Sequence, residues 1–237
     1  MFFYICPKDK KIQDIRENFF AYVHDTLIEK RAYAGNSAGK YASKWRSLFM
    51  SIEVELKLKI CDKAEITASL KQLGFTETEL VVETDTYYTA AHHDFAALDE
   101  ALRIRTVENL HTKEQSAVIT YKGAKLDQTS MTRKELETEI GDAETGREIL
   151  EHIGFVPVPP VEKQRQYWKN GTITACVDNV KGLGDYLELE ILADEETQRE
   201  EALEKLERIL NQLGYCMQDT TRTSYLSMLM RRQQAKE

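Results

Sequence analysis

The stretch SIEVELKLKI, residues 51–60, alternates apolar Ile52, Val54, Leu56, Leu58 and Ile60 with charged Glu53, Glu55, Lys57 and Lys59. A period of two marks a β-strand, and residues two apart share a face. On a single strand, a charged face opposite an apolar one signals only contact with water. Here the habit recurs. Arg103 and Arg105 align in ALRIRT, Arg133, Glu135, Glu137 and Glu139 in TRKELETEI, and Lys163 and Arg165 in VEKQRQYW. Glu188 and Glu190 align in YLELEI, Lys122 closes AVITYKG, and Asp178 closes TITACVD. Solvent faces usually mix Thr, Ser, Gln and Lys, whereas these carry ExE and RxR pairs. A sheet closed with those faces inward has a lumen too charged to be a packed core, which makes it a site.

Such a lumen suits a particular chemistry. Facing carboxylates are hard oxygen ligands for Mg²⁺ or Mn²⁺, which keep several waters and bridge to phosphate oxygens. Arg offers forked donors to phosphate, and Lys offers point charges. Both signs in one cavity fit a linear polyphosphate held together with its metal.

The rest of the chain is consistent with a soluble α+β protein. Three amphipathic segments, 62–73, 142–153 and 195–213, end alike, in Leu73-Gly74-Phe75, Ile153-Gly154-Phe155 and Leu213-Gly214-Tyr215. That punctuation is a helix stop, with glycine in the left-handed conformation. Strand-like segments are 51–60, 80–89, 100–108, 116–122, 131–140, 162–169, 171–178, 185–192 and 216–228. Asn170-Gly171 between two of them predicts a hairpin with a type I′ turn. EVELKLKI followed by a helix ending KQLGF is echoed by YLELEIL followed by a helix ending NQLGY, a faint two-fold repeat of strand plus helix.

Residues 1–49 carry nine Lys/Arg against five Asp/Glu, and the remainder carries 23 against 35. The first 49 residues read as an extension: a poorly packed arm, sequence upstream of the natural start, or a docked helix or partner-binding arm. The acidic body argues against a general nucleic-acid binder, without excluding a small polyanion held by a local basic cluster. No apolar run reaches the ~18–20 residues of a membrane span. The scattered cysteines and the lack of a basic n-region suggest a reduced, cytoplasmic protein, monomeric or homodimeric. His92-His93-Asp94 lacks a third ligand at metal spacing, and RRQQAKE reads as a frayed tail.

Glu53-x-Glu55-x-Lys57 resembles the ExExK signature of the CYTH superfamily, the triphosphate tunnel metalloenzymes. The blocks ETDTYY (83–88), ALRIR (101–105), TYKG (120–123), TRKELE (132–137), VEKQRQYW (161–168), CVDNVKGLGDYLELE (176–190) and TSYLSML (223–229) follow in the family's order. The resemblance runs from Met50 to about Met230 and is nearest to the class IV adenylyl cyclase (CyaB-like) branch. It implies an eight-stranded antiparallel tunnel barrel with helices outside, binding a nucleoside triphosphate, most simply ATP, with Mg²⁺ or Mn²⁺. By position it implies metal ligands at Glu53, Glu55 and Glu188, with Glu190 and Asp178 as additional ones. Phosphate contacts fall at Lys57, Arg103, Arg105, Lys122, Arg133, Lys163 and Arg165.

As a cyclase, the ribose 3′-hydroxyl attacks the α-phosphorus and pyrophosphate leaves, with Lys57 and Arg165 in catalytic roles. Lys57 either assists deprotonation or contacts phosphate. The same tunnel also suits hydrolysis of tripolyphosphate or thiamine triphosphate, and a third reading is a non-catalytic nucleotide or polyphosphate binder.

Overall fold

In the computed structural model, which describes residues 51–193 and 196–235, nine strands and four helices follow one another along the chain. They are β1 (Ser51–Lys59), α1 (Lys63–Gln72), β2 (Thr76–Ala90), β3 (Ala101–Asn109), β4 (Gln115–Lys125), β5 (Arg133–Glu139), α2 (Ala143–His152), β6 (Phe155–Pro157), β7 (Val161–Asn170), β8 (Ile173–Val180), β9 (Gly184–Ala193), α3 (Arg199–Gln212) and α4 (Tyr225–Gln234). The expected extension 1–49 lies outside the described residues. Among the described residues no helix is long and apolar enough to cross a membrane.

All strand pairings are antiparallel. The order β3-β4-β5-β1-β9-β8-β7-β2 closes on itself through a β2–β3 pairing, and short β6 is added at the end of β2. This is the closed sheet anticipated from the alternating charges, and the eight-stranded barrel with helices outside that the CYTH resemblance implies. Register carries the charged rows inward together, because directly paired residues point the same way. Glu55 faces Glu190, Lys57 faces Glu188, Arg165 faces Asp178, and Tyr87 faces Arg103.

The polarity of an ordinary small barrel is therefore inverted. The main apolar core lies between the outer wall and the helices: Val54, Leu56 and Leu58 of β1 and Leu187 and Leu189 of β9 pack with Ile66 and Leu70 of α1 and Leu206 and Leu210 of α3. A smaller cluster of Tyr88, Ile104 and Leu150 lies beneath α2. The two echoed strands, β1 and β9, are direct neighbours, and α1 and α3 cover their shared outer face. Leu206→Ala is expected to cost about 2–5 kcal/mol in urea unfolding, because the side chain is fully buried in this external core.

The helix stops form as the sequence predicts. Gly74, Gly154 and Gly214 take φ of 82°, 96° and 84°. After α1, Phe75 N donates to Leu70 O and Gly74 N to Lys71 O, and after α3 Tyr215 and Gly214 repeat the arrangement. Asp62 and Asp142 cap α1 and α2 through their side chains.

Four expectations are corrected. Segment 216–228 is not a strand: it holds a 3₁₀ turn at Met217–Asp219, a single bridge from Thr220 to Leu58, and the start of α4, whose N-cap Ser224 accepts from Ser227 N. Helical spacing of Tyr225, Leu226, Met228 and Leu229 against Val161, Val180 and Leu183 outweighs the weak alternation. The tail is likewise helical through Gln234. The β7–β8 hairpin exists, but its two-residue loop is Gly171–Thr172, because Asn170 pairs with Ile173. Only Gly171 of that loop has positive φ (57°), the habit of a glycine-first turn rather than type I′. Finally, β2 begins at Thr76, directly after the α1 stop, and passes a bulge between Glu77 and Leu80.

Candidate active site

The barrel encloses a cavity of about 710 Å³. Glu53, Glu55, Lys57, Arg103, Arg105, Lys122, Arg133, Lys163, Arg165, Glu188 and Glu190 all line it. Asp178 does not. It points into the barrel with its pairing partner Arg165 but is fully buried beneath the lining, where Arg165 Nε and Nη2 donate to its two oxygens at 2.7 Å each and Tyr225 Oη donates at 3.0 Å. Its role in this geometry is that of a counter-ion to Arg165.

On the β1–β9 side, Lys57 Nζ lies 3.0 Å from Glu188 and 3.2 Å from Glu55, and Arg165 reaches from β7 to Glu188 and, at 3.6 Å, to Glu190. Burial opposes the Lys57 charge, but Glu188 and then Glu55 more than offset it and hold the ammonium well above its usual range. Burial would raise Glu188 in turn, but Lys57, Arg165 and Lys163 together keep it ionised. Towards β4 and β5, Lys122 Nζ donates to Glu135 at 2.5 Å and to Glu53 at 3.4 Å. Arg103 Nη2 donates to Thr120 Oγ1 at 3.1 Å, while its buried Nε has no hydrogen-bond partner, a donor open to a ligand oxygen. Arg133 is engaged by the Asp99 carboxylate and by the carbonyls of Asp99 and Gly123, so it also ties the segment before β3 to the wall.

Residues that sequence reasoning left out complete the network. Asp85 takes Arg105 Nε and Nη2 at 2.6 and 2.8 Å, and Glu83 meets Arg105, Lys163 and Tyr167. Tyr225, the first residue of α4, enters from outside the barrel and stacks 4.4 Å below Lys57 Nζ. The signal for Glu83 and Asp85 was present, since they are two apart in ETDTYY like the other pairs. Tyr167 shares the Arg165 face by the same rule. Nothing at sequence level placed Tyr225.

The acidic residues fit a divalent cation by chemistry. Among the described residues, no three Asp, Glu, His or Cys stand together at metal-ligand spacing, because lysines and arginines hold the carboxylates apart. Yet buried Glu55 Oε1 accepts no hydrogen bond. Glu190 is pushed up to about 8 by burial and then by Glu53, and Glu135 likewise to about 8 by burial and Glu53. Burial would raise Glu53 too, but Lys122, the Glu135 hydrogen bond and Arg103 together draw the carboxyl down to about 2. The wall thus holds mutually repelling carboxyls that a cation of charge two would relieve, and Glu53, Glu55, Glu188 and Glu190 supply oxygen donors of the right hardness.

A pH dependence follows. Glu135 and Glu190 bind protons in the folded state up to about pH 8, but in the unfolded chain only to about 4.5. Their contribution to stability therefore falls as pH rises through that window. Protein stripped of metal is expected to melt at a lower temperature at pH 8.5 than at pH 6, and Mg²⁺ is expected to bind more tightly at pH 8.5, with proton release measurable in buffers of different ionisation enthalpy.

The CYTH domain family profile matches residues 51–225. The chain belongs to the CYTH family. A Methanocaldococcus jannaschii protein named "Putative adenylate cyclase" is 39% identical over 177 residues, covering 75% of this chain and 98% of that protein. The adenylate cyclase CyaB of Aeromonas hydrophila is 26% identical over 180 residues, covering 74% of this chain and 87% of that enzyme. A solved structure from Pyrococcus horikoshii superposes with a TM-score of 0.70 at 37% identity, covering 76% of this chain and 99% of that one. CYTH enzymes act on triphosphates, which accords with a cavity walled by paired acids and bases.

Proposed function

We propose that this CYTH protein is a divalent-metal-dependent adenylyl cyclase that converts ATP to cyclic AMP and pyrophosphate. The observation that carries the reading is one continuous cavity lined by Lys57, Arg103, Arg105, Lys122, Lys163 and Arg165 on strands that also present Glu53, Glu55, Glu188 and Glu190. The names of the two relatives favour cyclisation. Glu53, Glu55, Glu188 and Glu190 would hold Mg²⁺ or Mn²⁺, which when bound lowers the pKa of a nearby hydroxyl and neutralises phosphoryl charge.

The chain's own groups do the rest. Arg165, Lys163, Lys122 and Arg103 bind the phosphates and neutralise the leaving pyrophosphate as the 3′-oxygen attacks in line. Lys57 remains protonated beside Glu188 and Glu55, so it serves as a phosphate contact and not as a base. The 3′-hydroxyl, more acidic beside the metal, would give its proton to solvent water, so no carboxyl that holds the metal is needed as a base. Barrel walls keep these groups in place, so positioning and electrostatics supply the acceleration.

Hydrolysis of a triphosphate is the second reading, because the convergent cations address the triphosphate that both reactions share. Product analysis separates the two. Purified protein with ATP and Mg²⁺ or Mn²⁺ is expected to give cyclic AMP and pyrophosphate in equal amounts by chromatography. Orthophosphate without cyclic AMP would establish the hydrolase instead.

A further inference from the structure

Glu83 points into the barrel with its pairing partner Lys163 but lies beneath the side chains that line the cavity. It is 1% exposed and does not line the cavity, yet the three residues it holds, Arg105, Lys163 and Tyr167, all do. Oε2 lies 2.9 Å from Arg105 Nη1 and 3.1 Å from Lys163 Nζ, and Oε1 accepts from Tyr167 Oη at 2.8 Å. One carboxylate of β2 thereby joins β3 to β7. Burial would favour its neutral form, but Arg105 and Lys163 keep it down at about 2, so it is charged at every working pH.

Its position, shared with Asp178, differs from that of the acids that face the cavity. Lys57 and Lys122 are paired with Glu55, Glu188 and Glu53, which face the cavity and can exchange a lysine for a different cation when a ligand enters. Glu83 has no such freedom, so Arg105 and Lys163 keep their counter-ion whatever the cavity holds.

We propose that Glu83 is a positioning residue that caps the anionic charge the cavity accepts and so sets the register of the phosphate chain; the proposal rests on the triphosphate reading above. With Glu83 ionised, the potential that Arg105 and Lys163 present to the cavity is reduced, and a fourth phosphate gains little by reaching towards them. Without that charge, Arg105 keeps Asp85 as its carboxylate partner and Lys163 keeps only Asp178 at 3.8 Å, so the two buried cations share less anionic charge, a state that a longer anion relieves. The chain then slides towards β3 and β7, and the reacting phosphorus leaves the attacking group.

The test is calorimetric binding of tripolyphosphate and tetrapolyphosphate, each with Mg²⁺, to wild type and to Glu83→Gln, alongside steady-state kinetics on the triphosphate substrate. Wild type is expected to bind the two within about threefold of each other, and Glu83→Gln to favour the tetramer by about tenfold, the scale of one charge-assisted contact. Its kcat is expected to fall about tenfold while KM also falls. Should the glutamine variant not fold, Glu83→Asp, which keeps the charge but draws it back from both cations, is expected to shift the ratio in the same direction by about threefold. A purely structural role would weaken both ligands together; an unchanged ratio in the folded variants overturns the proposal. Wild type that binds neither polyphosphate overturns the triphosphate reading, and this proposal with it.

Discussion

Glu188→Gln is expected to lower kcat/KM for the triphosphate about 10³-fold, the scale on which a preorganised charge at a reacting centre is felt. Glu188 joins three strands at once: on β9 itself, it meets Lys57 of β1 at 3.0 Å and Arg165 of β7. Removing its charge takes away one oxygen donor of the acidic wall and releases two cations from their set positions. Glutamine keeps the shape, and Lys57 still has Glu55 at 3.2 Å. The variant should therefore fold, with its far-UV spectrum unchanged, and the loss should lie in turnover. Activity within tenfold of wild type would remove Glu188 from the site.

Arg165→Lys is expected to be nearly as damaging, at about 10²-fold in kcat/KM and about 3 kcal/mol in stability. The guanidinium uses Nε and Nη2 on the two oxygens of Asp178 and still reaches Glu188. A lysine offers one point charge and cannot hold that fork. Asp178 would keep only Tyr225 Oη at 3.0 Å and Lys163 at 3.8 Å, in a place with no access to water. Since the two residues act as a unit, Asp178→Asn in the Arg165→Lys background should add much less than it costs alone. Urea unfolding of the four proteins measures this directly, and additive losses would contradict the coupling.

Much of this architecture was legible in the sequence because it follows from a period of two. Alternation placed Glu53, Glu55 and Lys57 on one face, and only the recurrence of the pattern on other strands turned that face inward. Helix stops were equally legible, since Gly74 and Gly214 answer a local demand for positive φ. Register is different in kind. Which charge meets which across the barrel depends on strand stagger, so nothing local shows that Asp178 lies opposite Arg165 and beneath the cavity lining. Glu83 and Asp85 carried the same two-residue spacing, with Thr84 alone between them, so the alternation that turns the other pairs inward applies to them as well. Tyr225 was hidden for another reason: its segment has apolar residues compatible with either period, and tertiary packing against Val161 and Leu183 decides for helix.

The main apolar core also lies where alternation puts it, on the opposite face from the site. Val54, Leu56 and Leu58 point outward beneath α1 and α3 while Glu53, Glu55 and Lys57 point inward. Stability and chemistry are thereby assigned to opposite sides of the same strand. Leu206→Ala should weaken the fold and spare ligand affinity, and Glu188→Gln should do the reverse.

The central claim is that the charged interior, and no outer surface, binds the triphosphate. Calorimetric titration of tripolyphosphate with Mg²⁺ into wild type and Glu53→Ala tests it most directly. One site per chain is expected in wild type, with affinity reduced at least about tenfold in the variant as the acidic wall loses a donor. Equal binding by the two proteins, or none by wild type, would contradict the account.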